Sequence, residues 1–145
     1  MHEHEAFVVR TEADRSGDAV RVILTVELPE GVHIEPHVPT EPTLIPTVLE
    51  VAGLTGVAVA YPEPVVKDLD WRGLTLTVLE GSLRFIVSGR LQPGIDAMTG
   101  TLRYQPCIGG ACLPPRTVAV QAPLAGSSAY SVLGALTARV PLLAG

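Results

Sequence analysis

The stretch Ala19-Val-Arg-Val-Ile-Leu-Thr-Val-Glu-Leu28 sets Val20, Val22, Leu24, Val26 and Leu28 on one side of an extended chain and Arg21, Thr25 and Glu27 on the other. That period of two marks a half-buried antiparallel strand, and Ile23 alone breaks it. Neighbouring segments repeat the theme. Glu5–Arg10 precedes it across a Ser16-Gly17-Asp18 turn, and Leu44–Val51, Gly56–Ala60, Leu74–Val78, Leu83–Leu91, Thr101–Gln105 and Arg116–Ala122 follow. In the last of these, Val118 and Val120 face away from Thr117, Ala119 and Gln121. Strand-stopping residues separate them. These are Pro29-Glu30-Gly31, an irregular Pro-rich stretch Val32–Thr43, Tyr61-Pro62-Glu63-Pro64, Glu80-Gly81-Ser82 and Gly94–Gly100; proline cannot donate to a ladder. Val65–Gly73, the most polar internal stretch, reads as a solvated loop carrying Asp68, Asp70 and Trp71. About eight short antiparallel strands, with no amphipathic helix before Ser128, predict an all-β sandwich. Residues 1–127 are expected to form the domain, and residues 128–145 a C-terminal tail or short helix.

Composition narrows the function classes. The 145 residues suit one domain, and 47% hydrophobic content with dispersed glycine and proline argues against disorder. The net charge is −5, from 15 acidic and 10 basic residues, and Lys67 is the only lysine. With no basic stripe to meet a phosphate backbone, a nucleic-acid partner is not expected. Met1-His2-Glu3-His4-Glu5 is acidic where an export signal would be basic and then apolar. The chain is therefore expected either to be cytosolic or to start downstream of a removed or neighbouring segment. Tyr130–Gly145 carries Arg139 and Pro141 and lacks the ~20 apolar residues of a membrane span.

Two cysteines carry the chemistry. In Thr101-Leu-Arg-Tyr-Gln-Pro-Cys107-Ile-Gly-Gly-Ala-Cys112-Leu-Pro-Pro-Arg-Thr117 the thiols stand at the two ends of a tight connection. Extended, five residue steps span roughly 17 Å, whereas a disulfide needs Cα atoms about 5.5 Å apart. Gly109-Gly110 permits the chain to fold back. As a staple the bond would be weak: the chain-entropy relation gives roughly 2 kcal/mol for so small a ring, against about 4 to 5 for one that joins distant parts of a domain. Pro114-Pro115 leave the adjoining edge short of donors and keep the surface beside Cys112 irregular. On these grounds a redox couple and a structural disulfide stand level. A metal site ranks third, since two thiols lack two further ligands and the histidines sit far away in sequence; His33 and His37 lie four apart, but in a Pro-rich loop this is not the helical spacing that would converge them on a metal. His2 and His4 read as a frayed terminus. Asp68 and Asp70 fit a solvated loop better than a carboxylate pair. Trp71 and Tyr104 are each either core aromatics or site-lining ones.

Tyr104-Gln105-Pro106-Cys107, four residues, then Cys112-Leu113-Pro114-Pro115 resembles the active-site stretch of the N-terminal periplasmic domain of the thiol:disulfide interchange protein DsbD. Gly31-Val32-His33-Ile34 with Pro39 and Leu44-Ile45-Pro46-Thr47, and then Tyr61-Pro62-Glu63-Pro64, match in the same order, so the resemblance covers roughly Leu28 to Val120. It implies an immunoglobulin-like sandwich whose Cys107/Cys112 disulfide is the working group. It also implies a periplasmic or envelope setting, a thioredoxin-like electron donor and oxidised extracytoplasmic acceptors. Cys112 would form the mixed disulfide and Cys107 would resolve it. The family's cap over the disulfide falls on Tyr61–Trp71. There Glu63 matches an acid and Pro64 stands where an aromatic is expected, so shielding would pass to Tyr61 or Trp71, with Tyr104 and Pro114 lining the site. Pro106 replaces a small residue. No lysine or histidine lies within the motif, so a strongly activated thiol is not expected. No cofactor or metal is implied, and a monomer, or a part of a larger membrane-bound or fused protein, is expected. The competing function is a non-enzymatic immunoglobulin-like binding or scaffold domain with a structural disulfide.

Overall fold

The computed structural model describes residues 8–41, 43–71 and 74–124, without the side chains of residues 8, 68–71 and 74–75. His2, His4, Arg72, Gly73 and the expected 128–145 tail lie outside the described residues, as do the side chains of Asp68, Asp70 and Trp71. All regular structure in the described residues is strand: β1 (Val8–Ser16), β2 (Ala19–Glu27), β3 (Val32–Ile34), β4 (Val48–Ala52), β5 (Leu54–Ala60), β6 (Val65–Trp71), β7 (Leu74–Glu80), β8 (Ser82–Leu91), β9 (Ala97–Tyr104), β10 (Cys107–Ile108), β11 (Ala111–Cys112) and β12 (Arg116–Pro123). They form three antiparallel sheets, ordered β1-β2-β8-β5, β11-β10-β3-β7-β6 and β12-β9-β4.

The alternation in Ala19–Leu28 predicts this packing. Val20, Val22, Leu24, Val26 and Leu28 all enter the main core, where they meet Phe85 and Val87 of β8, Ile34 of β3, Leu79 of β7, Met98 and Leu102 of β9 and Val118 and Val120 of β12. One apolar cluster thus holds the inward faces of all three sheets together. Ile23, the exception to the pattern, is also buried, on the opposite face and opposite the half-buried Ile86. The first and last strands are tied by Thr11 Oγ1 donating to the Gln121 carbonyl (3.2 Å) and Arg15 Nη1 to that of Leu124 (2.6 Å).

Eight strands have seven or more residues, the expected number, but they are not quite the expected eight. The stretch Val65–Trp71, read as a loop, is an edge strand: Val65, Val66 and Lys67 pair with Val78, Thr77 and Leu76. An edge strand keeps one side in water, which is why its composition is polar. The irregular Val32–Thr43 stretch begins with β3, whose three residues are all buried and so show no alternation. β1 runs on to Ser16 and β9 starts at Ala97, inside the expected Gly94–Gly100 connection. Gly100 is required there because a Cβ would run into the Glu50 carbonyl of β4.

Candidate functional site

Tyr104 and Arg116 are register partners in the β9–β12 ladder, so residues 105–115 are an excursion from a hairpin that would otherwise close on itself. The excursion folds into a smaller hairpin, with Cys107 opposite Cys112 and Ile108 opposite Ala111. Gly109 takes φ +62° at the first of the two central positions, the conformation a II′ turn demands and glycine alone supplies cheaply. The Leu113 N–H donates to the Pro106 carbonyl at 2.9 Å, just outside the cysteines. Cys107 and Cys112 therefore form a non-hydrogen-bonded pair, the closer of the two kinds in an antiparallel ladder. Their Cα atoms are 4.0 Å apart and their sulfurs are bonded.

The two sulfurs differ in access. Cys107 is 0% exposed, whereas Cys112 is exposed at the sheet edge beside exposed Ile108. On its other side Cys107 faces His33 of β3, and His33 in turn faces Glu80 of β7. Residues opposite one another share a face, so Cys112, Cys107, His33 and Glu80 form a row across four strands. Two residues beyond His33 stands Glu35, 2% exposed. The ligand-type atoms of His33, Glu35 and Cys107 all lie within 4.8 Å of one another. Such atoms can hold a metal only when the sulfur is a free thiolate, and here Cys107 is committed to the disulfide.

Thr47 fixes that acid in place. This buried side chain donates to the Glu35 carbonyl at 2.5 Å, its N–H reaches the Pro36 carbonyl at 3.3 Å, and its own carbonyl accepts from His37 Nδ1 at 3.0 Å. The His37 ring stacks on Tyr61, with centroids 3.9 Å apart, and Tyr61 meets Phe85 edge-on. The two stretches matched upstream of the cysteines, Gly31–Thr47 and Tyr61–Pro64, are thus joined through Thr47, His37 and Tyr61, next to the strand that faces Cys107.

Electrostatically the site is quiet. Burial pulls the His33 imidazole below its ordinary pKa; Glu80 opposes the shift and Lys67, paired with Glu80 at 3.0 Å, reinforces it. Burial pushes the Glu35 carboxyl above the usual carboxylate range, and its Oε1 has no hydrogen-bond partner among the described residues. Both groups are thus held toward their neutral forms. The Cys107 sulfur lies 3.9 Å from the Gln105 carbonyl, which would accept from a thiol and disfavour a thiolate.

The expected site residues divide. Cys107 and Cys112 are brought together, and Pro114 is exposed just beyond Cys112. Tyr104 is buried within the main core at the end of β9, and desolvation raises its phenol pKa far above the ordinary value. Tyr61 is half-buried and its hydroxyl accepts from the Leu49 N–H at 3.0 Å. Glu63 and Pro64 are exposed in the connection before β6, and Trp71 ends β6. His33 and His37 do not converge, since His33 sits under Cys107 and His37 against Tyr61. Glu35 and Thr47 were not singled out as site residues. The signal available for Glu35 was its spacing of two from His33, readable only once β3 is known to be a strand.

The family model for the N-terminal domain of the thiol:disulfide interchange protein DsbD matches residues 1–123. The chain belongs to this family. Its fold is accordingly the immunoglobulin-like β-sandwich, and family membership together with a bonded cysteine pair supports a role in thiol-disulfide exchange in general. The N-terminal periplasmic domain of ScsB from Proteus mirabilis is similar in structure, with a TM-score of 0.67 at 18% identity, covering 86% of this chain and 49% of that one. The chain thus spans about half of that neighbour. The DsbD N-terminal domain of Neisseria meningitidis, in the reduced form, gives a TM-score of 0.49 at 18% identity over 87% of this chain and 91% of that one. A structure of the complex between the DsbD and PilB N-terminal domains of the same organism gives 0.45 at 17% identity over 88% and 89%. No curated protein matches the sequence.

Proposed function

We propose that this domain is an extracytoplasmic relay that takes reducing equivalents from a thioredoxin-like donor and passes them to oxidised protein partners through Cys107 and Cys112. The observation that carries this reading is the unequal access of the two sulfurs. A donor thiolate must approach along the S–S axis, and only Cys112 is open to it. Attack there forms an intermolecular disulfide on Cys112 and expels Cys107, and the donor's second thiol then resolves the complex to leave a dithiol. In the outward step the Cys112 thiolate attacks an oxidised partner, and Cys107 resolves by re-forming the internal disulfide. Burial keeps the neighbouring His33 toward neutrality, so its imidazole does not activate the sulfurs and the rate depends on the partner's low-pKa thiol. The segment from Tyr61 to Trp71, with Glu63 and Pro64 in its exposed connection, runs into β6 at the edge of the sheet away from β11, and Cys112 is left exposed to a donor. Tyr104 and Pro114 flank the hairpin that carries it.

With an oxidised thioredoxin-like protein as acceptor, Cys112→Ala is expected to abolish exchange, whereas in Cys107→Ala the Cys112 thiolate attacks the partner's disulfide and, with no resolving thiol in the domain, leaves a mixed disulfide visible on a non-reducing gel. Equal loss of folding in both variants with no trapped complex would instead indicate a structural staple. So would a couple well below about −300 mV.

A further inference from the structure

We propose that Glu35 is the proton donor and acceptor for Cys107 during exchange. The proposal rests on the relay reading above. Three observations meet at one place: Cys107 is fully buried, the Glu35 carboxyl is buried with an unpartnered oxygen, and the two groups lie within 4.8 Å of each other. A carboxyl without a partner in such a place is costly unless it has a use. The exchange reaction supplies one. When a reductant thiolate attacks Cys112 Sγ, a new S–S bond forms and the Cys107–Cys112 bond breaks. Its electron pair leaves on Cys107 Sγ, which is fully buried and therefore a poorly solvated place for a thiolate. The proton of the Glu35 carboxylic acid passes to that sulfur, so the leaving group departs as a thiol and Glu35 becomes the carboxylate, to be reprotonated from solvent. In the reverse step the Glu35 carboxylate takes the proton from Cys107 as that sulfur attacks the mixed disulfide. His33 on β3 shares this cluster, and the charges acting on His33 among the described residues are Glu80 on β7 and Lys67 on β6. Among the described residues of this cluster, Glu35 alone pairs an unsatisfied oxygen with proximity to the buried sulfur, and Thr47 fixes the backbone that carries it.

Glu35→Gln keeps the shape and neutrality of the protonated acid and removes its proton. With dithiothreitol as reductant and its thiolate fraction divided out, reduction of wild type is expected to slow as pH rises and Glu35 ionises. In Glu35→Gln it is expected to be flat with pH and, on the low-pH side of the wild-type decline, about tenfold or more slower than wild type. A variant that tracks wild type at every pH overturns the proposal, while the Cys107→Ala trapping test stands or falls separately. A second measurement needs no variant. The Glu35 δ-carbon, followed by NMR in the intact domain, should titrate at different midpoints in the oxidised and reduced forms, and coincident midpoints would overturn the proposal as well.

Discussion

His33 and Glu35 stand two residues apart on one face of β3 and its continuation, and burial holds each toward its neutral form. Their effects on stability run in opposite directions along the pH axis. The folded domain holds the Glu35 proton more tightly than the unfolded chain does, so stability falls as pH rises from about 4.3 through the higher folded value. For His33 the unfolded chain binds the proton more tightly, so stability falls as pH drops from about 6.5 toward the lower folded value. Urea unfolding over that range should show Glu35→Gln gaining on wild type as pH rises and His33→Gln gaining as it falls. At the turn of the small hairpin the test is steric. Gly109→Ala is expected to cost about 1 kcal/mol or more, because the position has φ +62°. Gly110→Ala, in open space and without a positive φ, should stay within about 0.5 kcal/mol. The cysteines and the turn glycines could be read from sequence because their chemistry is local. Glu35 could not, since its significance depends on a strand pairing of residues more than seventy positions apart.

Among the elements, β9 shows how one residue governs a sheet. Gly100 faces Val51 of β4 and Val120 of β12, and a Cβ there would lie 3.2 Å from the Val51 Cα as well as against the Glu50 carbonyl. Gly100→Ala should therefore push β4 from β9 and lower stability by about 1 to 3 kcal/mol, measured by denaturant unfolding. Strands with one buried face, such as β2 and β12, announced themselves by alternation. β3 and β6 failed to do so for opposite reasons: β3 is buried on both faces, while β6 lies at an edge with Val65 and Val66 exposed. In each, the usual contrast between an apolar and a polar side is missing. The loss matters because β3 is the strand that joins the cysteine hairpin to the rest of its sheet.

Across the whole molecule, a single cluster joins three sheets, and Phe85 is among its largest fully buried side chains. Phe85→Ala is expected to cost about 3 to 5 kcal/mol, and the same midpoint should appear by circular dichroism and by tyrosine fluorescence. The disulfide contributes little to that cohesion, since its ring closes over a sequence separation of five. Reduction should therefore lower stability by only about 2 kcal/mol and leave the fold intact, as a relay that cycles between two states requires. The pairing of Tyr104 with Arg116 carries this further. Because the chain resumes its ladder opposite the point where it left, the reactive segment is a cassette spliced into a hairpin. It could in principle be cut out and replaced by a tight turn, or exchanged for another of different potential, with the scaffold's main ladders kept in place.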